Sequence, residues 1–570
     1  MLLVCVKMFS ILLLSTFLRL VAAPEVEPSQ VLSELNLILR SELNVFVDFE
    51  DFSSFLNLNL DTPRIQLSSR EPFNLRIRGN FTEQALIIVQ LTDIVLDNEV
   101  SKLLSCLLNE LHELHIVFLS REDPELFQKQ LYIKCYSMGF VNVLLVHLQD
   151  LYSFLPYPSI QPIKLSNISD YINRGRVLRN FQGFPVRVLN STGRPRDFVY
   201  FNERNELVRQ GYLFTAIKEF IDRYNATLVT VPQLEGEPYQ VYQDIFARLR
   251  NKEIDVACHM KDRDWDVQST EPLAILAQYF IVPHSRSISS YLYYSRPFRW
   301  SLWLVIVLTV VYGALMLHLA TGRQRNEFGE CLLHSLSHIL YTGNRNINRE
   351  DWRDVVIHVI LMLAGFILTN IYLAMLSSIL TSGLNEAQYH TLQDLAKAPY
   401  ISIHDELYHR QLLETPFIPE ALRRNSMTMD NLTMLIAYRD GLNRNYMYML
   451  YEDRLDLILM QQYLLKTPLF DLVRQGVGFT MENYCVGNDL PYRGMISEFM
   501  RRVMEHGINI KLKADAFSVM IKCGFFTLMR DDEPPAKAFE LEFYYFAFAL
   551  WAVGHLLSLA VFVMEILKSK

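Results

Sequence analysis

Apolar positions along this chain gather into three long runs and several short ones. SLWLVIVLTVVYGALMLHLA (301–320), VVIHVILMLAGFILTNIYLAMLSSILT (355–381) and YYFAFALWAVGHLLSLAVFVMEI (544–566) are each long enough, as a helix, to cross about 30 Å of hydrocarbon. CLLHSLSHILY (331–341) is too short to span and suits a segment, placed at 329–344, that dips into the membrane and returns on the same side. Nearer the start, ALIIVQL (85–91), ELHIVFL (113–119) and VNVLLVHL (141–148) recur with helical patterns between them. Short, uninterrupted apolar runs of this kind predict strands of a small parallel α/β domain over 24–177.

The first 23 residues carry Lys7, a short apolar centre and Val21-Ala22-Ala23 before Pro24, the pattern of a secretory signal peptide with cleavage after 23. An N-terminal membrane anchor is the alternative, against which the short apolar stretch argues. Export puts the first membrane helix outside-to-inside. Arg323, Arg325, Arg345, Arg349 and Arg353 then fall in short cytoplasmic loops and Lys568 and Lys570 in a cytoplasmic tail (567–570), as the positive-inside rule asks. Two blocks, 24–300 and 382–543, are left outside.

Composition agrees with such a mixture. The 570 residues are 51% hydrophobic and 20% charged, too apolar for an ordinary soluble protein and too polar for a bundle of membrane helices alone. The net charge of −8 includes no long basic run, which argues against a nucleic-acid partner. Sequons at Asn80, Asn167, Asn190, Asn225 and Asn431 all fall in the exported blocks and are candidate glycosylation sites. Of seven cysteines, Cys5 leaves with the signal; in an oxidising compartment Cys106 with Cys135, and Cys485 with Cys523, are plausible disulfides. No cysteine spacing suggests zinc, and no GxSxG, HExxH or phosphate loop points to an enzyme.

The second membrane run ends unusually, in NIYLAMLSSILTS (370–382), where Ala374, Ser377, Ser378, Thr381 and Ser382 interleave with bulky aliphatics. Leu373, Ser377 and Thr381 are four apart and share one helical face. Ala374 and Ser378 are small enough for helices to approach closely, and Ser377 and Thr381 supply a wettable stripe. The competing reading is that the hydroxyls simply bond back within a lipid-facing helix. In the short segment, His334 and His338 are four apart with Cys331 three before, a geometry that suits a transition metal, a proton sensor, or plain helix packing.

The order of exported block, helix, re-entrant loop, helix, second exported block and final helix resembles the ionotropic glutamate receptor superfamily, and within it the divergent insect chemosensory ionotropic receptors. LRNFQGFPVRVLN (178–190), GYLFTAIKEFIDRYNATLVTV (211–231), YQDIFARLRNKEIDVA (242–257), RPFRWSLW (296–303), TLQDLAKAPYIS (391–402) and SEFMRRVMEHGI (497–508) carry the resemblance in order. IYLAMLSSILT (371–381) is similar to the family's gate motif SYTANLAAFLT: Tyr372, Ala374, Leu376, Leu380 and Thr381 are kept, serines replace two alanines and Met375 replaces the asparagine.

What the resemblance implies is a bilobed, periplasmic-binding-protein-like α/β ligand-binding domain built from 178–300 and 382–543, an α-helical pore domain, and the small N-terminal α/β domain, where the glutamate receptors carry a much larger one. Tyr372, Leu373, Ala374, Ser377 and Thr381 would form the gate, with Tyr341 near the loop tip. Arg263 is the counterpart of the arginine that clamps a ligand carboxylate, although it lies in KDRDWD beside three aspartates. Tyr451, with Glu452 beside it, stands where the family places an acidic residue. Glutamate is therefore not the expected agonist.

The expected function is a ligand-gated cation channel subunit serving taste or smell, in a heterotetramer with co-receptor subunits, opened by clamshell closure. Its expected place is the plasma membrane of a sensory-neuron dendrite, with the N-terminus outside and no cofactor or metal. A non-conducting accessory subunit is the alternative, and a membrane-anchored enzyme the third.

Overall fold

The computed structural model of the protein describes residues 28–48, 60, 62–68, 75–91, 98–109, 111–190, 193–233, 238–260, 267–320, 328–342, 352–531 and 541–568. The predicted signal peptide (1–23), Arg263, Arg323, Arg325, Arg345 and Arg349 of the expected cytoplasmic loops, the end of the expected re-entrant segment (343–344) and Lys570 lie outside the described residues. By its contacts the chain forms two compact units. One comprises the residues up to Ile281 with Tyr400–Tyr463 and Arg474–Met529; the other comprises Val282–Pro399, Leu464–Val473 and the residues from Arg530 onward.

The first unit opens with a seven-stranded sheet of β1 (Leu43–Val47), β2 (Arg64–Leu67), β3 (Ala85–Leu91), β4 (His115–Ser120), β5 (Val143–His147), β6 (Asp150–Leu155) and β7 (Gln161–Leu165). Its order is β2-β1-β3-β4-β5-β6-β7, parallel through β5 and antiparallel for the last two strands. The three apolar runs are its β3, β4 and β5. Neighbouring residues face opposite ways, so Val45, Ile87, Ile116 and Leu145 pack on one face and Phe46, Ile88, Val117 and Leu144 on the other. Helices Asn98–Leu107 and Gln128–Ser137 cover the first face, and Pro28–Leu39 and Ile168–Val177 the second. Burial on both faces explains why these strands read as continuous apolar runs. β1, β2, β6 and β7 are shorter or more polar, and the apolar runs did not reveal them.

The remaining strands of this unit are β8 (Pro185–Leu189), β9 (Phe198–Phe201), β10 (Leu207–Gln210), β11 (Thr227–Val231), β12 (Val256–Ala257), β13 (Gln268–Ser269), β14 (Ala274–Pro283), β15 (Ile401–His404), β16 (Ser426–Thr428), β17 (Tyr446–Tyr451), β18 (Phe470–Glu482) and β19 (Cys485–Val486). Two five-stranded sheets result, β11-β8-β12-β19-β13 and β16-β15-β17-β14-β18, with β9 and β10 as a separate hairpin. Each sheet draws on both sequence blocks, the one before the first two membrane-length helices and the one after them. β19, from the second block, lies antiparallel between β12 and β13 of the first (Val256↔Val486, Ser269↔Cys485). β14, from the first block, lies antiparallel against β17 of the second (Gln278↔Tyr451, Phe280↔Met449). Helices follow suit: Arg493–Glu505 and Ile508–Lys522 bring Ile496, Met500, Ala516 and Met520 into one core with Phe181, Ile217 and Phe220.

This arrangement corrects the disulfide expectation. Among the described cysteines none is in a disulfide. Adjacent strand residues face opposite sides of the first five-stranded sheet. Cys485 packs with Leu189, Leu249 and Ala257, whereas Val486 packs with Val188 and with Met520 of the helix that ends next to Cys523. The sheet stands between the two thiols. Cys135 is buried in the core of the seven-stranded sheet, and Cys106 sits only half-buried on its helix.

In the second unit, helices Trp300–Ala320, Trp352–Ser382 and Tyr545–Lys568 are long and apolar enough to cross a membrane. The first begins one residue before its predicted segment, the second extends its segment by three residues at the start and one at the end, and the third begins one residue later than predicted and ends two residues later. The short run forms a helix, Phe328–Ile339, packed against both of the first two through Val310, Ala314, Leu317, Cys331, Ile339 and Leu361. Two glycines make that contact close. A Cβ on Gly313 would lie 2.5 Å from Ser335 Oγ, and one on Gly365 would lie 1.9 Å from the His338 carbonyl oxygen.

One buried charge tests the N-terminal sheet. Arg174 donates to the carbonyls of Phe154 (2.8 Å) and Val141 (2.9 Å) and to Ser153 Oγ, and lies 5.0 Å from the centre of the Tyr171 ring. Arg174→Ala strands those acceptors and is expected to cost about 3 kcal/mol, read as a lower unfolding midpoint of the purified chain in denaturant.

Candidate functional site

The two five-stranded sheets enclose a cavity of about 600 Å³. Its walls come from loops after β8 and β11, from the end of β12, from β15 and β17, and from helices Glu406–Glu414, Leu432–Asp440 and Glu452–Gln461. Aliphatic side chains (Val241, Leu407, Leu432, Leu435, Ile436) and the tyrosines Tyr242, Tyr408, Tyr448 and Tyr451 share the lining about equally with polar and charged groups.

The central charges oppose each other. Arg196, on the loop between β8 and β9, grips Asp453 through Nε to Oδ2 (2.8 Å) and Nη2 to Oδ1 (3.0 Å), with both side chains buried. The Tyr212 hydroxyl donates to the same carboxylate at 3.4 Å. Asp453 reaches that position because Tyr451 ends β17 and caps helix Glu452–Gln461, turning its first turn toward Arg196. Burial alone would push the Asp453 carboxyl up, but the Arg196 guanidinium outweighs it and holds the group below the usual carboxylate range. The pair joins the block before the first two membrane-length helices to the block after them, beside the cavity that Arg196 lines.

Two further arginines stand nearby. Arg439 gives Nε to Asp440 Oδ1 at 2.8 Å. Arg454 follows Asp453 on the helix and lines the cavity within electrostatic reach of Asp405 and Asp453; its Nε is buried without a hydrogen-bond partner. Asp405 is occupied as the N-cap of helix Glu406–Glu414, accepting from Tyr408 N at 2.9 Å, and burial pushes its carboxyl up. His404, buried on β15 with Ser402 Oγ 2.5 Å from Nε2, is pushed down to about 3 by burial and then by His409. His259 is pushed down to about 4 by burial and then by Arg196 and Arg454, so both imidazoles are neutral at neutral pH. Among the described residues the cavity thus combines an aliphatic and aromatic wall with three arginines, Asp405 and two neutral imidazoles.

The predicted ligand residues divide. Tyr451 lines the cavity, 5.7 Å ring to ring from Tyr408, while Glu452 is exposed and does not line it. Arg196, Arg439, Arg454 and Asp405 were not singled out from the sequence. Asp453 and Arg454 were in view within NYMYMLYEDRLD, but only the cap at Tyr451 decides that they face inward. Of the sequons, Asn80, Asn167, Asn225 and Asn431 are exposed, whereas Asn190 is half-buried in the cavity wall with its side-chain oxygen covered.

At the membrane-length helix, Leu373, Ala374, Ser377 and Thr381 lie on exposed surface. Thr381 Oγ1 donates to the Ser377 carbonyl and Ser382 Oγ to that of Ser378, both at 2.8 Å. Back-bonding therefore accounts for two of the hydroxyls, and Ser377 and Ser378 remain for another role. Tyr372 donates its hydroxyl to the Tyr294 carbonyl (3.0 Å) and packs among Phe298 and Trp303, just before and within the first membrane-length helix. Tyr341 stacks toward Phe366 at 5.4 Å. Around the helix ends, 284–288 and 384–388 are zipped antiparallel: Ile288 N donates to Leu384 O (2.8 Å) and Glu386 N to Arg286 O (2.9 Å), and His284 Nδ1 lies 2.8 Å from Asp471 Oδ2.

No protein-family model matches the chain, and no curated protein matches it.

Arg196→Ala leaves Asp453 buried without its counter-charge and is expected to destabilise the first unit by about 3–5 kcal/mol, whereas Arg196→Met with Asp453→Leu together costs much less; a double-mutant cycle in denaturant reads both. His259 and His404 have folded values below the free imidazole value of about 6.5, so the unfolded chain binds more protons below that pH. Stability is expected to fall as pH drops from about 6.5 toward 4, and His404→Gln to flatten that slope in unfolding midpoints measured against pH.

Proposed function

We propose that the chain is a ligand-gated cation channel subunit of the ionotropic glutamate receptor superfamily, of the divergent insect chemosensory kind. The observation that carries this reading is the sharing of strands. Two exported blocks separated in sequence by two membrane-length helices and a short seated helix complete each other's sheets around one cavity, so the chain needs both blocks to make one binding site. A binding module with no further role has no use for that insertion. A device that converts closure of a cleft into movement of membrane helices does.

In this reading the two sheets are the cores of two lobes of a clamshell. Ligand binding draws them together, and the pull passes along β14 and the segments 284–288 and 384–388, which run directly into the helices. Binding shifts the open state only by the ligand's differential affinity for the closed cleft. Ser377 and Ser378 line the gate of a tetramer completed by co-receptor subunits in the plasma membrane of a sensory dendrite, with the N-terminus outside. Arg454 favours an organic ligand that carries an anionic group on an apolar or aromatic body. The Arg196–Asp453 pair already satisfies the two opposite charges that a zwitterionic amino acid would need, which argues against glutamate.

Current recording from cells expressing the chain with a co-receptor subunit, against a panel of small organic acids, amines and amino acids, tests the proposal. Arg454→Ala is expected to raise the half-maximal concentration of an active acid about 10- to 150-fold with unitary conductance unchanged. Ser377→Leu is expected to reduce current without moving that concentration. Currents indifferent to Ser377 would leave the chain as an accessory subunit rather than a pore former.

A further inference from the structure

Three ionisable side chains are buried together in the second unit, in a place the channel reading leaves without a task. His338, on the short helix, is 3% exposed; His358 and Asp354, on the helix Trp352–Ser382, are 6% and 5% exposed. His358 Nδ1 lies 2.7 Å from His338 Nε2, and His358 Nε2 lies 3.4 Å from Asp354 Oδ1. The rings sit 4.7 Å apart at 65°, an edge contact that aims one nitrogen at the other. Ionisable groups in an apolar helix bundle are costly to keep, so their presence as one connected row asks for a function.

We propose that Asp354, His358 and His338 form a proton-binding site that decides whether the short helix Phe328–Ile339 stays seated on the helix Trp352–Ser382. A nitrogen-to-nitrogen hydrogen bond needs one N–H and one lone pair. With both imidazoles neutral, His338 donates to His358, which donates its other N–H to Asp354. With one proton added, His358 is an imidazolium paired with Asp354 and donates to His338, which changes tautomer. Both states keep the 2.7 Å contact. A second proton makes both facing nitrogens donors and sets two cations side by side, and the contact is lost.

That contact is where the short helix is anchored. The carbonyl of His338 rests against Gly365, so close that a Cβ there would lie 1.9 Å away, and Ser335 Oγ donates to the Val310 carbonyl at 2.8 Å. Tyr341 and Thr342, three and four residues beyond His338, follow its position: Tyr341 N donates to the His338 carbonyl at 3.0 Å. Other charges around the site are few. His334, one turn earlier on the short helix, lies within electrostatic reach of both imidazoles, and Asp354 also faces Cys331, which has Glu330 beside it. The third packed helix, Trp300–Ala320, offers Tyr312, which is exposed, and His318, which lies against Phe328 at the opposite end of the short helix. Asp354 is the carboxylate hydrogen-bonded to the pair, so it sets how readily the protons are taken.

Hydrogen exchange of the full chain purified in detergent tests this without reference to ligand or current. After correction for intrinsic exchange, amide protection in peptides spanning 328–342 is expected to fall about tenfold or more between about pH 7.5 and about pH 5. His338→Gln and His358→Gln are expected to remove that pH dependence. Asp354→Asn withdraws the counter-ion that makes the doubly protonated state attainable, and is expected to move the loss to lower pH. Should either glutamine variant lack the short helix already at the higher pH, the wild-type profile and the Asp354→Asn shift decide alone. Equal wild-type protection at the two pH values, or a fall that persists in the glutamine variants, or an Asp354→Asn profile matching wild type, would overturn the proposal.

Discussion

A carboxylate and a guanidinium removed from water must find each other, and in this protein one such buried pair, Arg196 with Asp453, is 257 residues apart in the chain. Arg196 precedes the first two membrane-length helices in sequence and Asp453 follows them. Neither charge is tolerable in its place without the other. Their pairing therefore requires both blocks to be folded against each other, and it fixes the identity of the cavity beside them. With those two charges satisfied by each other, Arg454 lines the cavity with an Nε that has no hydrogen-bond partner.

The same dependence of one block on the other repeats in the backbone. β19 fills the gap between β12 and β13, and β14 supplies a neighbour to β17, so neither sheet closes its hydrogen bonds from one block alone. Alternation along these short strands also partitions the core. Val188, Val256 and Val486 meet the helices that end at Glu505 and Lys522, while Leu189, Ala257 and Cys485 meet helix Pro238–Arg250 on the other side. A disulfide through such a sheet is geometrically closed off, and burial of apolar surface on both faces takes over as the stabilising term.

In the membrane-length part the governing quantity is the distance between helices. Gly313 and Gly365 bring the short helix into backbone contact with its neighbours, which leaves room for the His338–His358 bond and no room for a side chain in place of either glycine. The hydroxyls at the end of helix Trp352–Ser382 show a second economy. Thr381 and Ser382 satisfy themselves on carbonyls one turn back, so Ser377 and Ser378 alone keep their polarity for neighbours or water.

Length and uninterrupted hydrophobicity are local properties, and they sufficed for the three membrane-length helices, for the helix at 328–339 that is too short to span, and for β3, β4 and β5. Strands of two to four residues such as β12, β13 and β19 carry no pattern of their own; they exist because a distant segment offers them hydrogen bonds, and only the tertiary structure supplies that partner. The cavity divides in the same way. Tyr451 was legible from its place in a motif, but whether Glu452, Asp453 or Arg454 faces inward depends on where β17 stops and its helix begins. Pairing across hundreds of residues, which silences Arg196 and Asp453 and joins His338 to His358, is a matter of distance in space. The order of residues along the chain does not encode that distance in any local form.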